Sequence, residues 1–162
     1  MGHKVSKTLD SYRAPFAYSV AGLPYQTGNY LAKTGVVVPS IAQAAGRGTV
    51  RLYSFRDLLA LRVARDLRKA HLSLQRIRKC IVVLREQWNE DLATARLFTD
   101  GKEVYLARDE QKAIALLLQS GQVTWRACVD VGGAAAELRR LVAQEKPKKR
   151  ANAAGVNRRK TA

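Results

Sequence analysis

Two amphipathic helices joined by a short loop constrain this chain more than anything else in it. Ser54-Phe55-Arg56-Asp57 has the form of a capping box, with Asp in place of the usual Glu or Gln. Behind it Phe55, Leu58, Leu59, Val63 and Leu67 recur on one helical face, which predicts a helix from about Phe55 to Lys69. Ser73 caps a second helix, in which Leu74, Ile77, Ile81 and Leu84 form an apolar stripe while Arg76, Arg78, Lys79 and Arg85 stay outside it. That helix should end near Trp88.

Upstream, order should begin near Ala14, and residues 1–13 have no periodicity and read as a loose N-terminus. Between Pro15 and Gly35 the pattern predicts two short helices broken at Gly22-Leu23-Pro24, with Gly35 suited to a left-handed helix end. Short helices joined by a tight turn suggest a helix-turn-helix. The next stretch, Ala44-Ala45-Gly46-Arg47-Gly48-Thr49-Val50-Arg51-Leu52-Tyr53, is a glycine-broken basic loop running into a short β-prone segment, as a wing would be.

Downstream the period changes to two. Ala95-Arg96-Leu97-Phe98-Thr99 and Glu103-Val104-Tyr105-Leu106 flank Asp100-Gly101, a hairpin signal. A helix from about Asp109 to Gln119, a strand across Val123 to Val131 and a helix from about Ala134 to Ala143 complete a small α+β module. From Glu145 to Ala162 the chain is rich in Lys, Arg, Ala and Asn without an apolar pattern and is expected to be disordered. The expected class is therefore α+β: a mainly helical unit over 14–90, a module over 91–144 and a basic tail over 145–162.

The formal net charge is +16, and its placement says more than its size. Residues 1–91 carry 15 basic and 6 acidic side chains, 92–144 carry 7 and 6, and 145–162 carry 7 and 1. A basic first half, a near-neutral module and a basic tail fit a chain of which only part meets a polyanion. Cys80 and Cys128 lie far apart in apolar stretches and read as buried structural thiols of a reducing compartment. The N-terminus lacks an apolar leader core and no apolar run approaches membrane-spanning length, so a cytoplasmic protein with no membrane partner is expected.

Leu23-Pro24-Tyr25-Gln26-Thr27-Gly28-Asn29-Tyr30-Leu31-Ala32-Lys33-Thr34-Gly35-Val36-Val37-Val38-Pro39-Ser40 resembles the recognition helix and exit of MerR-type regulators. Arg51-Leu52-Tyr53-Ser54-Phe55-Arg56-Asp57-Leu58 resembles the end of that family's wing and the start of its third helix. Leu67-Arg68-Lys69-Ala70-His71-Leu72-Ser73-Leu74-Gln75-Arg76-Ile77-Arg78 resembles the helix-loop-helix that follows. The resemblance implies a winged helix-turn-helix that binds double-stranded promoter DNA as a homodimer, beside RNA polymerase and in association with the nucleoid.

On that basis the expected DNA contacts are Tyr25, Gln26, Asn29, Tyr30 and Lys33 on the recognition helix, Arg47, Arg51 and Tyr53 in and after the wing, and Arg56 at the next helix start. Asn and Gln can make the paired hydrogen bonds that select adenine. Arginines among glycines can reach phosphate, and a helix N-terminus favours it. Tyr25 and Tyr30 can equally be half-buried packing residues.

The chain departs from the family pattern in several places. Gly28 and Asn29-Tyr30-Leu31 replace an apolar residue and an Arg-Tyr-Tyr stretch, and a glycine there implies close packing or close approach to DNA. His71 stands where glycine is usual. The short interval from Gln87 to Thr94 leaves no room for the family's dimerisation helix, so residues 92–144 are expected to hold the dimer, through apolar groups such as Leu97, Phe98, Tyr105, Leu116, Leu117, Leu118 and Trp125. No metal or cofactor is expected, because Cys80 and Cys128 do not reproduce the family's sensor cluster. No nucleophile-base constellation or phosphate-cradling loop points to an enzyme. An architectural or recombination accessory role, or an adaptor acting through residues 92–144, remain the other readings.

Overall fold

The computed structural model describes residues 10–88, 93–119 and 124–157, with the side chains of Gln119 and of 146–157 left out. Helix α1, Ala14–Ala21, starts at an extended Arg13 with a proline in its first turn. It stops at Gly22, whose φ of 73° lets its N–H return to the Ser19 and Tyr18 carbonyls. Helix α2, Tyr25–Lys33, follows Pro24 and ends at Thr34 and Gly35. Gly35, at φ 71°, and Val36 donate back to the Ala32 and Leu31 carbonyls.

Helix α3, Phe55–Lys69, has the predicted capping box: the Ser54 hydroxyl accepts from the Asp57 N–H, and the Asp57 carboxylate accepts from the Ser54 N–H. Its end is closed by His71, a non-glycine residue at φ 61°, after which Leu72 donates to the Leu67 carbonyl. Helix α4, Leu74–Glu86, is capped by Ser73.

Two small sheets complete the chain. Strand β1, Tyr12–Arg13, pairs antiparallel with β2, Leu52–Tyr53, in the register Tyr12 opposite Tyr53. Order thus begins before Ala14: Tyr12 is buried and stacks on Phe16. Strands β3, Arg96–Thr99, β4, Val104–Ala107, and β5, Ala127–Asp130, form an antiparallel sheet with β3 in the centre. The hairpin turns at Asp100, whose carboxylate accepts the Lys102 and Glu103 N–H groups, and at Gly101, φ 97°. Those bonds, that from Glu103 first, pull the Asp100 carboxyl below its ordinary value.

Helix α5, Glu110–Gln119, covers one face of this sheet, where Phe98, Ala107 and Ala113 form a small cluster with Leu116 and Trp125. The other face carries Leu97 and Val129 into the main core, as the alternation of a strand requires.

Helix α6, Val131–Asn157, begins earlier and runs further than the segment Ala134 to Ala143 that periodicity marks out. The backbone stays helical across most of the stretch expected to be disordered, and residues 158–162 lie outside the described residues. That stretch has no apolar stripe to mark it as a helix. A helix once started propagates through Ala, Lys, Arg and Gln without needing a buried face.

Helix α3 lies at the centre. Leu58, Leu59, Leu61 and Leu67 belong to one apolar cluster with Tyr18 of α1, Leu31 of α2, Ile77 and Leu84 of α4, Leu97 of β3, Val129 of β5 and Leu138 of α6. The core therefore runs without a break from the N-terminal helices into the sheet module. Of the two cysteines, Cys80 is buried and desolvation raises its thiol to about 11. Cys128 corrects the expectation of two buried thiols: it sits on β5 opposite Phe98, and is exposed.

Candidate nucleic-acid interface

Helix α2 turns Gly28 and Leu31 inward and leaves Tyr25, Gln26, Tyr30 and Lys33 exposed, with Asn29 half-buried beside them. Gly28 is required by packing. A Cβ there would lie 2.4 Å from the Tyr18 ring, so only glycine lets the helix sit this close to α1. Tyr18 is the post on which α2 rests. Its ring makes edge contacts with Tyr25 at 5.4 Å and Tyr53 at 5.6 Å, and its hydroxyl hydrogen-bonds the Tyr53 hydroxyl at 2.7 Å.

Tyr53 itself is 0% exposed and faces this core, away from the surface on which the sequence reading placed it. Burial first, and the Tyr18 hydroxyl second, hold its phenol far above the ordinary value. Tyr53, which the resemblance placed among the DNA contacts, fastens the wing base to α1.

The wing is a hairpin: Ala42 and Leu52 exchange backbone hydrogen bonds, and residues 43–50 are exposed. Its tip holds Arg47 between Gly46, φ 137°, and Gly48, φ 88°. The Thr49 hydroxyl ties the loop by donating to the Gly46 carbonyl and accepting the Ala45 N–H. Arg51, at the wing base, reaches across to α2 and donates to Asn29 Oδ1 at 2.6 Å. The expected base reader and the expected phosphate anchor are thus bonded to each other. Arg56, exposed at the start of α3, holds its guanidinium 5.1 Å from the centre of the Trp88 ring.

One polar knot behind this surface was not legible from the sequence. Asp57, 1% exposed, accepts from the Ser40 N–H and hydroxyl at 2.8 and 2.7 Å, and from Arg85 at 2.9 Å. Arg85 also donates to the Val38 carbonyl, and Arg78 to the Thr34 carbonyl at 2.6 Å. Two arginines that look like a solvated face of α4 therefore hold the exit of α2. The available signal was the short Asp in the capping box, which can serve partners beyond the cap.

A separate groove of about 500 Å³ runs between α3, β5 and the start of α6, lined by Arg62, Asp66, Arg126, Cys128, Asp130 and Glu137. No helix among the described residues is long and apolar enough to cross a membrane.

Residues 17–81, which hold most of α1, all of α2, the wing and α3, and most of α4, match the family model described as MerR HTH family regulatory protein. Proteins of Mycobacterium bovis and Mycobacterium tuberculosis that bear the description HTH-type transcriptional regulator are 40% identical over 139 residues, 86% of this chain. The chain spans about 60% of the length of these relatives. Residues 17–81 are thus similar in sequence to the helix-turn-helix domain of MerR-type regulators.

Proposed function

We propose that the protein is a sequence-specific DNA-binding transcription regulator of the MerR type, which binds promoter DNA as a homodimer and acts on RNA polymerase there. The observation that carries this reading is the pairing of an outward stripe, Gln26, Tyr30 and Lys33, with the basic wing tip at Arg47, both held on one buried tyrosine post. Side chains on a helix of this kind read base edges in the major groove, while wing arginines take phosphate and set the register. The relatives' shared description as transcriptional regulators supports the same reading.

A footprint tests it. The full-length protein, mixed with fragments of its own genome, should protect paired half-sites close to a promoter. Protection without sequence preference, or DNA bending without half-site symmetry, would favour an architectural role. The second copy is expected to dock on the near-neutral module, where Ile114, Leu117 and Leu118 of α5 are exposed and two copies meet without the repulsion of the basic N-terminal half.

A further inference from the structure

The bond between Arg51 and Asn29 bears on which base α2 reads. This rests on the reading of α2 as the base-contacting helix. An asparagine free at both ends selects adenine, because its carbonyl accepts from the adenine amino group while its NH2 donates to N7. Here a cationic donor 2.6 Å from Oδ1 takes one of the carbonyl's two lone pairs, and its bulk and positive charge disfavour a second donor, such as an adenine amino group, on the other. That contact also settles which end of the amide is which, since a guanidinium has donors only and can approach the oxygen alone.

What remains for a ligand is the Nδ2 group, two donors made stronger by the charge on the other side of the amide, together with the remaining N–H groups of Arg51. A base edge meeting this pair has to accept. Guanine offers two acceptors in the major groove, O6 and N7, whereas adenine puts an amino donor where this pair already has donors. We infer that the Arg51-Asn29 pair acts as one donor-only unit that selects guanine, and that Arg51 is the positioning residue that withholds adenine recognition from Asn29.

The test is selection from duplex pools randomised across the half-site, using the full-length protein, Asn29→Ala, Arg51→Ala and Arg51→Met, the last keeping the aliphatic stem. The wild type should prefer guanine over adenine roughly tenfold at one position per half-site. Asn29→Ala should abolish that preference. Both Arg51 variants should reverse it to adenine while binding more weakly overall, a gain of new specificity that loss of a phosphate contact cannot produce.

An unchanged base order in the Arg51 variants with uniform weakening would overturn the inference, as would loss of all binding in both, or a wild-type preference for adenine at the Asn29-sensitive position. A wild-type protein that selects no motif, or an Asn29→Ala variant with an unaltered motif, would instead refute the base-reading role of α2 itself.

Discussion

Tyr18 carries α2 through a contact at Gly28 that allows no substitution of larger volume. Gly28→Ala would gain about 1 kcal/mol of helix propensity but place a methyl group against a ring that is 1% exposed and hydrogen-bonded. Overpacking of this sort costs about 1–3 kcal/mol, so the clash wins and the urea midpoint should fall. Tyr53→Phe leaves the Tyr18 hydroxyl without its partner at 2.7 Å and should cost about 1–3 kcal/mol in the same assay. Because Tyr53 is buried, that substitution should leave the dependence of DNA affinity on salt unaltered.

The thiols give a second measurement at this scale. Exposed Cys128, whose thiol desolvation also raises, should react with a disulfide reagent in the folded protein at mildly alkaline pH, whereas buried Cys80, raised to about 11, should react only in denaturant. Two fast-reacting thiols per folded chain would show that α4 opens. Residue identity alone could not separate these cysteines. Both sit among apolar neighbours, and only the placement of Cys128 on the central strand's partner exposes it.

Among the elements, those legible in the sequence were those that punctuate themselves chemically. Helix α3 begins and ends where its Ser54 box and the Ala70-His71 turn put it, and the Asp100-Gly101 turn located the hairpin to within a residue. Those features act locally, through caps and turn bonds that need no distant partner. What could not be read were the long-range side-chain choices: Arg51 onto Asn29, Arg85 onto Asp57, Tyr53 onto Tyr18. Each joins residues at least 22 positions apart, and no spacing rule encodes it.

The capping box invites measurement, since Asp57 serves both α3 and the α2 exit. Ser54→Ala should cost about 1 kcal/mol, as loss of an N-cap usually does. Asp57→Ala should cost more, about 2–3 kcal/mol, because it also strips Ser40 and Arg85 of a buried acceptor. Equal losses in thermal melts would mean that the knot contributes nothing beyond the cap. His71→Gly, which relieves a left-handed residue at φ 61°, should raise stability by up to about 1 kcal/mol.

For the whole molecule, charge and exposed apolar surface divide between two regions. Affinity for duplex DNA should fall linearly on a log-log plot against salt, with a slope near −0.9 for each phosphate neutralised. Arg47→Ala should make that slope shallower by about one unit. Leu118, 78% exposed on α5, offers a complementary test. Leu118→Asp should halve the mass seen by light scattering without lowering the melting temperature, and a wild-type protein that is already monomeric would remove α5 as the dimer surface.

The unbroken core around α3 has a consequence for DNA geometry. Leu58 and Leu67 share one cluster with Leu31 of α2 and with Leu97 and Leu138 of the module, so among the described residues α2, α3 and the central strand of the module are packed on one core. A dimer joined through such modules is a caliper with a fixed opening. It could not stretch or swing to meet half-sites moved apart, as heads on flexible tethers can. Inserting about five base pairs at the operator's centre, half a helical turn, should therefore abolish cooperative binding, and a full turn should not restore it.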